Sequence, residues 1–342
     1  MRCRNPLTVC GIRRKNITYF IAIYGSIYLT YIFLIDFISS PGQKSEFVSK
    51  RVHRSPPETT KNSLALPNID YVVFNRVPKC GSMSMTQLAY DLGGKNGFKV
   101  ESPYEPGEKQ TKSQEEQDAF RKYVFEQTPP YMYIRHQNYV DFWDPTQKKK
   151  VAYINMIRDP IARFESFYYF SRFGNHLGGG GKAKLTEERK KETVDECVAN
   201  RRQECVKPWW QIVPYLCGQN NQKTSPNSDP RCQERGQWAV DRAKYNIDHN
   251  YAFVGLLDEL EMSLKVLEAL LPAFYKNAST VVKMESFEKM RNGTLTTFKK
   301  PAGQKSREFL RTQTSLKYEY EVYDYVLAKL KRTYSQLNNN RL

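Results

Sequence analysis

The sequence predicts an α/β fold, a parallel sheet with flanking helices, and three stretches predict it. Residues 69 to 91 change from a β-branched and aromatic run, Ile69 to Phe74, through Pro78-Lys79-Cys80-Gly81-Ser82, to helical spacing at Met85, Leu88 and Ala89. Val151 to Ile157 is nearly continuous in apolar residues, as a strand buried on both faces must be. Tyr251 to Leu257 is a further apolar run, followed by Leu260, Leu264, Leu267 and Leu271 at helical spacing, with Asp258 placed as their N-cap.

Ahead of these, residues 1–15 carry Arg2, Arg4, Arg13, Arg14 and Lys15 without an acid, and Asn16 to Ile35 runs for twenty residues without a charge. Twenty residues make about 30 Å of helix, enough to cross a bilayer. Basic residues before the run and Asp36 after it predict a cytosolic tail (1–15), a signal-anchor span (16–36) and a lumenal remainder. A cleaved signal peptide is the alternative, although its apolar region is shorter and no small-residue cleavage motif follows here. Residues 37–68, rich in Ser, Pro, Lys and Thr, predict a stem, and 69–342 one folded lumenal domain.

The turn from 78 to 84 has the makings of an anion site. A strand-to-helix loop aims backbone N–H groups and the positive end of the helix dipole at one point. Lys79 adds a full charge, Gly81 permits close approach of the backbone, and Ser82, Ser84 and Thr86 offer hydroxyls. It is not the nucleoside-triphosphate loop GxxxxGK[ST], because Lys79 precedes the glycine. An ordinary turn with a surface lysine and a serine cap is the plain alternative.

Residues 101 to 122 are polar and predict a surface loop and a solvated helix. Tyr131 to Arg135 predicts a short strand ending at His136, and the strand at 151 ends in Arg158-Asp159-Pro160. In open parallel sheets ligands lie beyond the carboxyl ends of the strands, where Lys79, His136 and Arg158 would meet. Pro160 suits the first turn of a helix, which can set Arg158 and Ser166 on one side of the corner as a second phosphate site. A local Arg158–Asp159 ion pair is the alternative.

Gly174 to Lys184, with glycine at 178 to 181, predicts a mobile loop, because glycine loses most entropy on ordering. The basic run after it, which includes Arg189, is either a lid over an anion or a solvated face. Tyr318 to Leu330 predicts an aromatic helix that packs.

The formal charge is +17. Residues 37–342 keep +13 of it, from 48 Lys and Arg against 35 Asp and Glu. Across a membrane from the cytosol this excess fits an acidic glycan rather than nucleic acid. Cys197, Cys205, Cys217 and Cys232 lack the C-x₂-C spacing of zinc sites and point to two disulfides in an oxidising lumen. Asn277-Ala-Ser and Asn292-Gly-Thr are glycosylation sequons.

Taken together, Asn75-Arg76-Val77-Pro78-Lys79, Arg135-His136, Ile157-Arg158-Asp159-Pro160 with Arg163-Phe164 and Ser166, and Asp195-Glu196-Cys197 resemble the Golgi uronyl 2-O-sulfotransferases. That family includes the heparan and dermatan/chondroitin enzymes and the arthropod Pipe-like branch, and the similarity spans about residues 69 to 335. The resemblance implies a P-loop nucleotide-binding type of sheet and a type II Golgi protein with the family's trimeric assembly. It implies 3′-phosphoadenosine 5′-phosphosulfate (PAPS) as cofactor, without a metal. Lys79 with Gly81, Ser82, Met83 and Ser84 would then form the 5′-phosphosulfate loop, with Lys79 also catalytic. Arg158 and Ser166 would hold the 3′-phosphate, and His136 would be the general base. Arg76 and Arg189 would meet the uronate carboxylate. The family pairs Cys197 with Cys205 and Cys217 with Cys232. Ile134 stands where the heparan enzymes carry a second histidine, which with Cys80-Gly81 places the chain nearer the dermatan/chondroitin and Pipe-like side. Two other classes remain open: a non-catalytic glycan-binding membrane protein with the same fold, and a lumenal kinase, for which no Mg²⁺-ligand signature is visible.

Overall fold

β1 (Tyr71–Asn75) is buried along its whole length, as are most residues of β3 (Tyr131–Arg135), β4 (Val151–Ile157) and β5 (Tyr251–Leu256). Their β-branched and aromatic side chains are apolar on both faces, which suits strands covered on both sides. β2 (Lys99–Glu101) is a three-residue edge strand carrying Lys99. All pair in parallel in the order β2-β3-β1-β4-β5. The chain therefore leaves β1 for one side of the sheet and later returns to the other. Connections diverge at the carboxyl end of β1, and a crevice opens there.

The longer helices are α1 (Ser82–Asn96), α2 (Gln114–Phe125), α3 (Pro160–Phe173), α4 (Gln237–His249), α5 (Leu260–Leu270), α6 (Gln304–Gln313) and α7 (Leu316–Asn339). α1 buries Met85, Leu88, Ala89 and Leu92, the spacing expected of one helical face, in the same core as Val72, Phe74 and Ile134. A second core gathers Ile161, Phe164 and Tyr168 of α3 with Leu310, Leu316 and Tyr320. The computed structural model describes residues 64–103, 110–142, 150–181, 183–219 and 229–339. Within it Asn62–Leu342 forms one compact unit. The predicted tail and span (1–36), and the stem up to residue 63, lie outside the described residues. Among the described residues no helix is long and apolar enough to cross a membrane.

Two local expectations are corrected. The glycine-rich stretch is a closed turn rather than a loose loop. The carbonyl of Phe170 accepts from the amides of both Gly174 and Gly181 at 2.9 Å, Asn175 N donates to Gly179 O at 2.8 Å, and Asn175 bridges to Thr296. Glycine is required because Gly180 has φ +82° and a Cβ there would lie 2.5 Å from the Phe170 oxygen. Asp258 does not cap α5, which starts at Leu260; its carboxylate instead accepts the Asp159 amide at 2.7 Å. In the polar segment 101–122 the expected helix is present: α2 begins at Gln114, behind a Ser113/Glu116 capping box, and extends to Phe125.

Candidate active site

The site is organised by Asn75, the last residue of β1 and fully buried. Its Nδ2 donates to the carbonyls of Tyr215 (3.0 Å) and Gln137 (3.4 Å), and its Oδ1 accepts from Asn155 Nδ2 (3.0 Å) and the Tyr251 hydroxyl (3.1 Å). One side chain thus ties β1, β4, β5 and the segment after β3 together. Asn75 and Arg135 are register partners, so Arg76 and His136 emerge side by side.

His136 is half-buried, with Nδ1 2.8 Å from the carbonyl oxygen of Arg76. A carbonyl can only accept, so Nδ1 carries the proton and Nε2 keeps its lone pair. Burial, and secondly the Arg76 cation, push the imidazole down to about 4. It is therefore neutral at physiological pH. The Arg76 guanidinium donates to Thr86 Oγ1 at 3.1 Å, and its Nε is buried without an acceptor among the described residues.

The loop to α1 carries the second group. Lys79 has φ +65°, unusual for a side-chain-bearing residue, and its ammonium sits 3.5 Å from the centre of the Phe170 ring. Burial, then repulsion from Arg158 and Lys299, lowers its pKa to about 8. Gly81 caps α1 at φ +72°, and a Cβ on it would meet Leu257 Cδ1 at 2.7 Å. No side chain caps α1 and its first turn holds no acid, so the amides of Ser82, Met83 and Ser84 are left for an anion. Ser82 and Ser84 are buried, whereas the Met83 side chain is 46% exposed, so Met83 can offer its backbone amide.

Arg158 and Ser166 bracket the start of α3. Arg158 Nε is buried without an acceptor among the described residues, and Ser166 Oγ lies 3.2 Å from Thr296 Oγ1. The Asp159 carboxylate accepts Ala162 N (2.7 Å) and the Tyr320 hydroxyl (2.7 Å), so it serves the helix end and α7. Two cations missed by the sequence reading stand out here: Lys299, which presses on both Lys79 and Arg158, and Arg307, which shares Glu165 with it. They lie more than 130 residues after Ser166, and no spacing pattern announces them. Tyr215 and Tyr90 also act on the Arg76 charge and were missed, Tyr215 because the chain returns it from far away and Tyr90 because a lone tyrosine on a helix reads as packing.

Arg189 is placed differently from the expectation. Its guanidinium is committed to Glu192 (3.3 Å) and Glu204 (2.9 Å), and Glu204 also takes Arg172 (2.6 Å). The sequence hides this because Glu204 is brought back beside Arg189 by the Cys197–Cys205 bridge. That bridge and Cys217–Cys232 are both formed, and Cys80 is free and buried. The Glu192, Cys197 and Glu204 atoms lie close enough to hold a metal, but the sulfur is in the disulfide and the carboxylates are held by arginines. Asn277 and Asn292 of the two sequons are exposed.

A model of the sulfotransferase family matches residues 68–336. The uronyl 2-sulfotransferases of Mus musculus and Homo sapiens are each 35% identical over 280 residues, 80% of this chain and 64% of theirs. The chain thus spans a little under two thirds of their length. Heparan sulfate 2-O-sulfotransferase 1 of Xenopus laevis is also 35% identical, over 261 residues, 75% of this chain and 70% of its own. The crystal structure of a mouse sulfotransferase complexed with PAP aligns over 81% of this chain and 85% of its own, with 13% identity and a TM-score of 0.35, too distant to bear on the fold.

Proposed function

Because the chain belongs to the sulfotransferase family, we propose that it transfers a sulfuryl group from PAPS to the 2-hydroxyl of a uronic acid in a glycosaminoglycan or related glycan. The observation that carries this reading is the tautomer-fixing hydrogen bond from His136 Nδ1 to Arg76 O, beside the uncapped α1 terminus. A base and an anion cradle meet there at one strand edge.

The residues present fit the cofactor. Gly81 leaves no room for a Cβ, the first amides of α1 are uncapped, and Arg158 Nε is a buried donor lacking an acceptor among the described residues. Lys79 and the amides of Ser82, Met83 and Ser84 would hold the 5′-phosphosulfate, and Arg158 with the Ser166–Thr296 pair the 3′-phosphate. When bound, PAPS supplies an activated sulfuryl group on a phosphate leaving group. His136 Nε2 would take the proton of the acceptor hydroxyl as that oxygen becomes the acceptor of the sulfuryl group in place of the phosphate oxygen. Lys79 and the loop amides meet the charge left on the phosphate. A base held at about 4 is weak, but a uronate carboxylate paired with Arg76 would cancel that cation, the smaller cause after burial, and raise the imidazole part of the way. The acceptor then helps prepare its own base.

The acceptor we favour is iduronate or glucuronate in dermatan or chondroitin, then heparan, then a glycoprotein-borne glycan. Ile134 and Cys80-Gly81 support the order, whereas the two relatives are equally similar to this chain. A Golgi location, with residues 16–36 as a type II anchor and both sequons modified, belongs to the same reading and is supported by the exposed Asn277 and Asn292. The test offers the full chain labelled PAPS with desulfated dermatan, chondroitin and heparan, and locates the label by disaccharide analysis. Label on uronate is expected. Label on hexosamine, or on none of the three polymers while a glycoprotein acceptor is labelled, overturns the polymer-uronate assignment.

A further inference from the structure

Glu165 precedes Ser166 on α3 and is 2% exposed. A buried carboxylate is costly unless paired, and this one is paired three times. Oε2 meets Lys299 Nζ at 3.4 Å, while Oε1 meets the Arg307 guanidinium at 3.2 Å and accepts the Ala302 amide at 2.9 Å. All three partners come from one segment, 299–307.

That segment is laid against α3 at several points. Ser166 and Thr296 share a hydrogen bond, and the Thr297 hydroxyl donates to the carbonyls of Phe173 and Gly174 at 3.1 Å. Between these anchors Phe298 is 75% exposed with φ +53°, a conformation that a bulky side chain rarely adopts. The backbone is held there against its own preference. The result is that Lys299, on a long flexible stem, stands beside Arg158 and Lys79, two like charges that repel it.

Resting on the nucleotide reading above, we propose that Glu165 is a positioning residue that holds Lys299 beside Arg158, so that a two-cation cradle for the 3′-phosphate stands assembled before the nucleotide arrives. Two such cations without a counter-ion would move apart into solvent. Glu165 prevents this from behind. Its second oxygen stays satisfied by Arg307 and Ala302, so Lys299 can turn toward a phosphate without leaving the carboxylate bare. Because Arg307 balances its charge, Glu165 offers the phosphate little repulsion.

Binding of adenosine 3′,5′-bisphosphate and of adenosine 5′-monophosphate to the full chain, measured by calorimetry, tests this. The native chain should prefer the bisphosphate. Glu165→Gln should weaken the bisphosphate about tenfold, the size of one charge-assisted contact, while changing the monophosphate less than about twofold. Lys299→Ala should cost as much, and the double variant no more than either single. Equal losses for both nucleotides would mark a merely structural role and overturn the proposal, as would tighter bisphosphate binding in Glu165→Gln or additive losses in the double variant. Lys299→Ala leaves Glu165 its Arg307 and Ala302 partners and keeps the test decisive if Glu165→Gln does not fold: unchanged discrimination in it overturns the proposal alone. A native chain without preference for the bisphosphate overturns the nucleotide reading, and this inference with it.

Discussion

The two strand-to-helix corners of this sheet look alike in sequence and differ in chemistry. Between β1 and α1 the helix terminus has no capping side chain, no acid in its first turn, and a lysine ahead of it. Between β4 and α3 the Asp159 carboxylate already occupies the terminus, Pro160 removes an amide, and Asp258 takes the Asp159 N–H. The first corner keeps its N–H groups for a ligand. The second has spent them on its own fold, so any anion there must be held by the side chains of Arg158, Ser166 and Lys299. A helix N-terminus is an anion site only where the chain leaves it uncapped.

The strongest test removes the groups at and beside the open corner. Lys79→Ala should lower transfer by 10²-fold or more and weaken nucleotide binding as well, since the lysine faces ligand in ground and transition states alike (roughly 10²–10³ for one such donor). His136→Ala should lower transfer by about 10²–10⁴-fold with the nucleotide Kd unchanged. Rates and calorimetry on the same preparations separate the two, and full activity in His136→Ala would remove the base.

Acid should expose the burial of the open corner's neighbour. His136 is held at about 4 when folded, against about 6.5 unfolded. The unfolded chain therefore binds the proton more readily between these values. The stability His136 permits is fully present above about pH 6.5 and is lost as pH falls through about 4, on the order of 3 kcal/mol in all. Denaturant titrations at pH 7 and 4.5 should show this slope in the native chain and a shallower one in His136→Ala; equal slopes would place the histidine in solvent.

Smaller effects should separate the corners. Gly81→Ala places a Cβ against Leu257 and strains a left-handed residue, at about 1–3 kcal/mol, so both melting temperature and nucleotide affinity should fall. Asp159→Ala should cost about 1 kcal/mol of stability as a lost cap while leaving nucleotide affinity nearly unchanged. Should Asp159→Ala instead strengthen anion binding markedly, the emptied second terminus would be acting as a site, and the contrast would be one of occupancy alone.

Much of this was legible because it is local. The apolar run at 71–75, Pro78, Gly81 and the spacing of Met85 and Leu88 are near neighbours, and so are Arg158, Pro160 and Ser166. What was not legible depends on distant returns of the chain. Arg189 reads as a free cation until Glu204 folds back beside it, and Asp258 reads as a cap until the Asp159 amide reaches it from 99 residues away. Lys299 carries no pattern at all. The glycine run reads as slack, because no one-dimensional rule foresees that the Phe170 carbonyl will collect two of its amides.

The last helix gives the order of synthesis a chemical meaning. Glu319 of α7 accepts the amides of Gln211 and Ile212 and pairs with the buried Arg163, while Tyr320 and Tyr323 reach Asp159 and Asp258. A nascent chain that has made the sheet, both strand-to-helix corners and His136 lacks the carboxylate that pairs with Arg163 until residue 319 has left the ribosome. Burial of that arginine therefore waits for nearly the whole chain, so a chain stopped before α7 should fail to fold rather than fold with a weakened site.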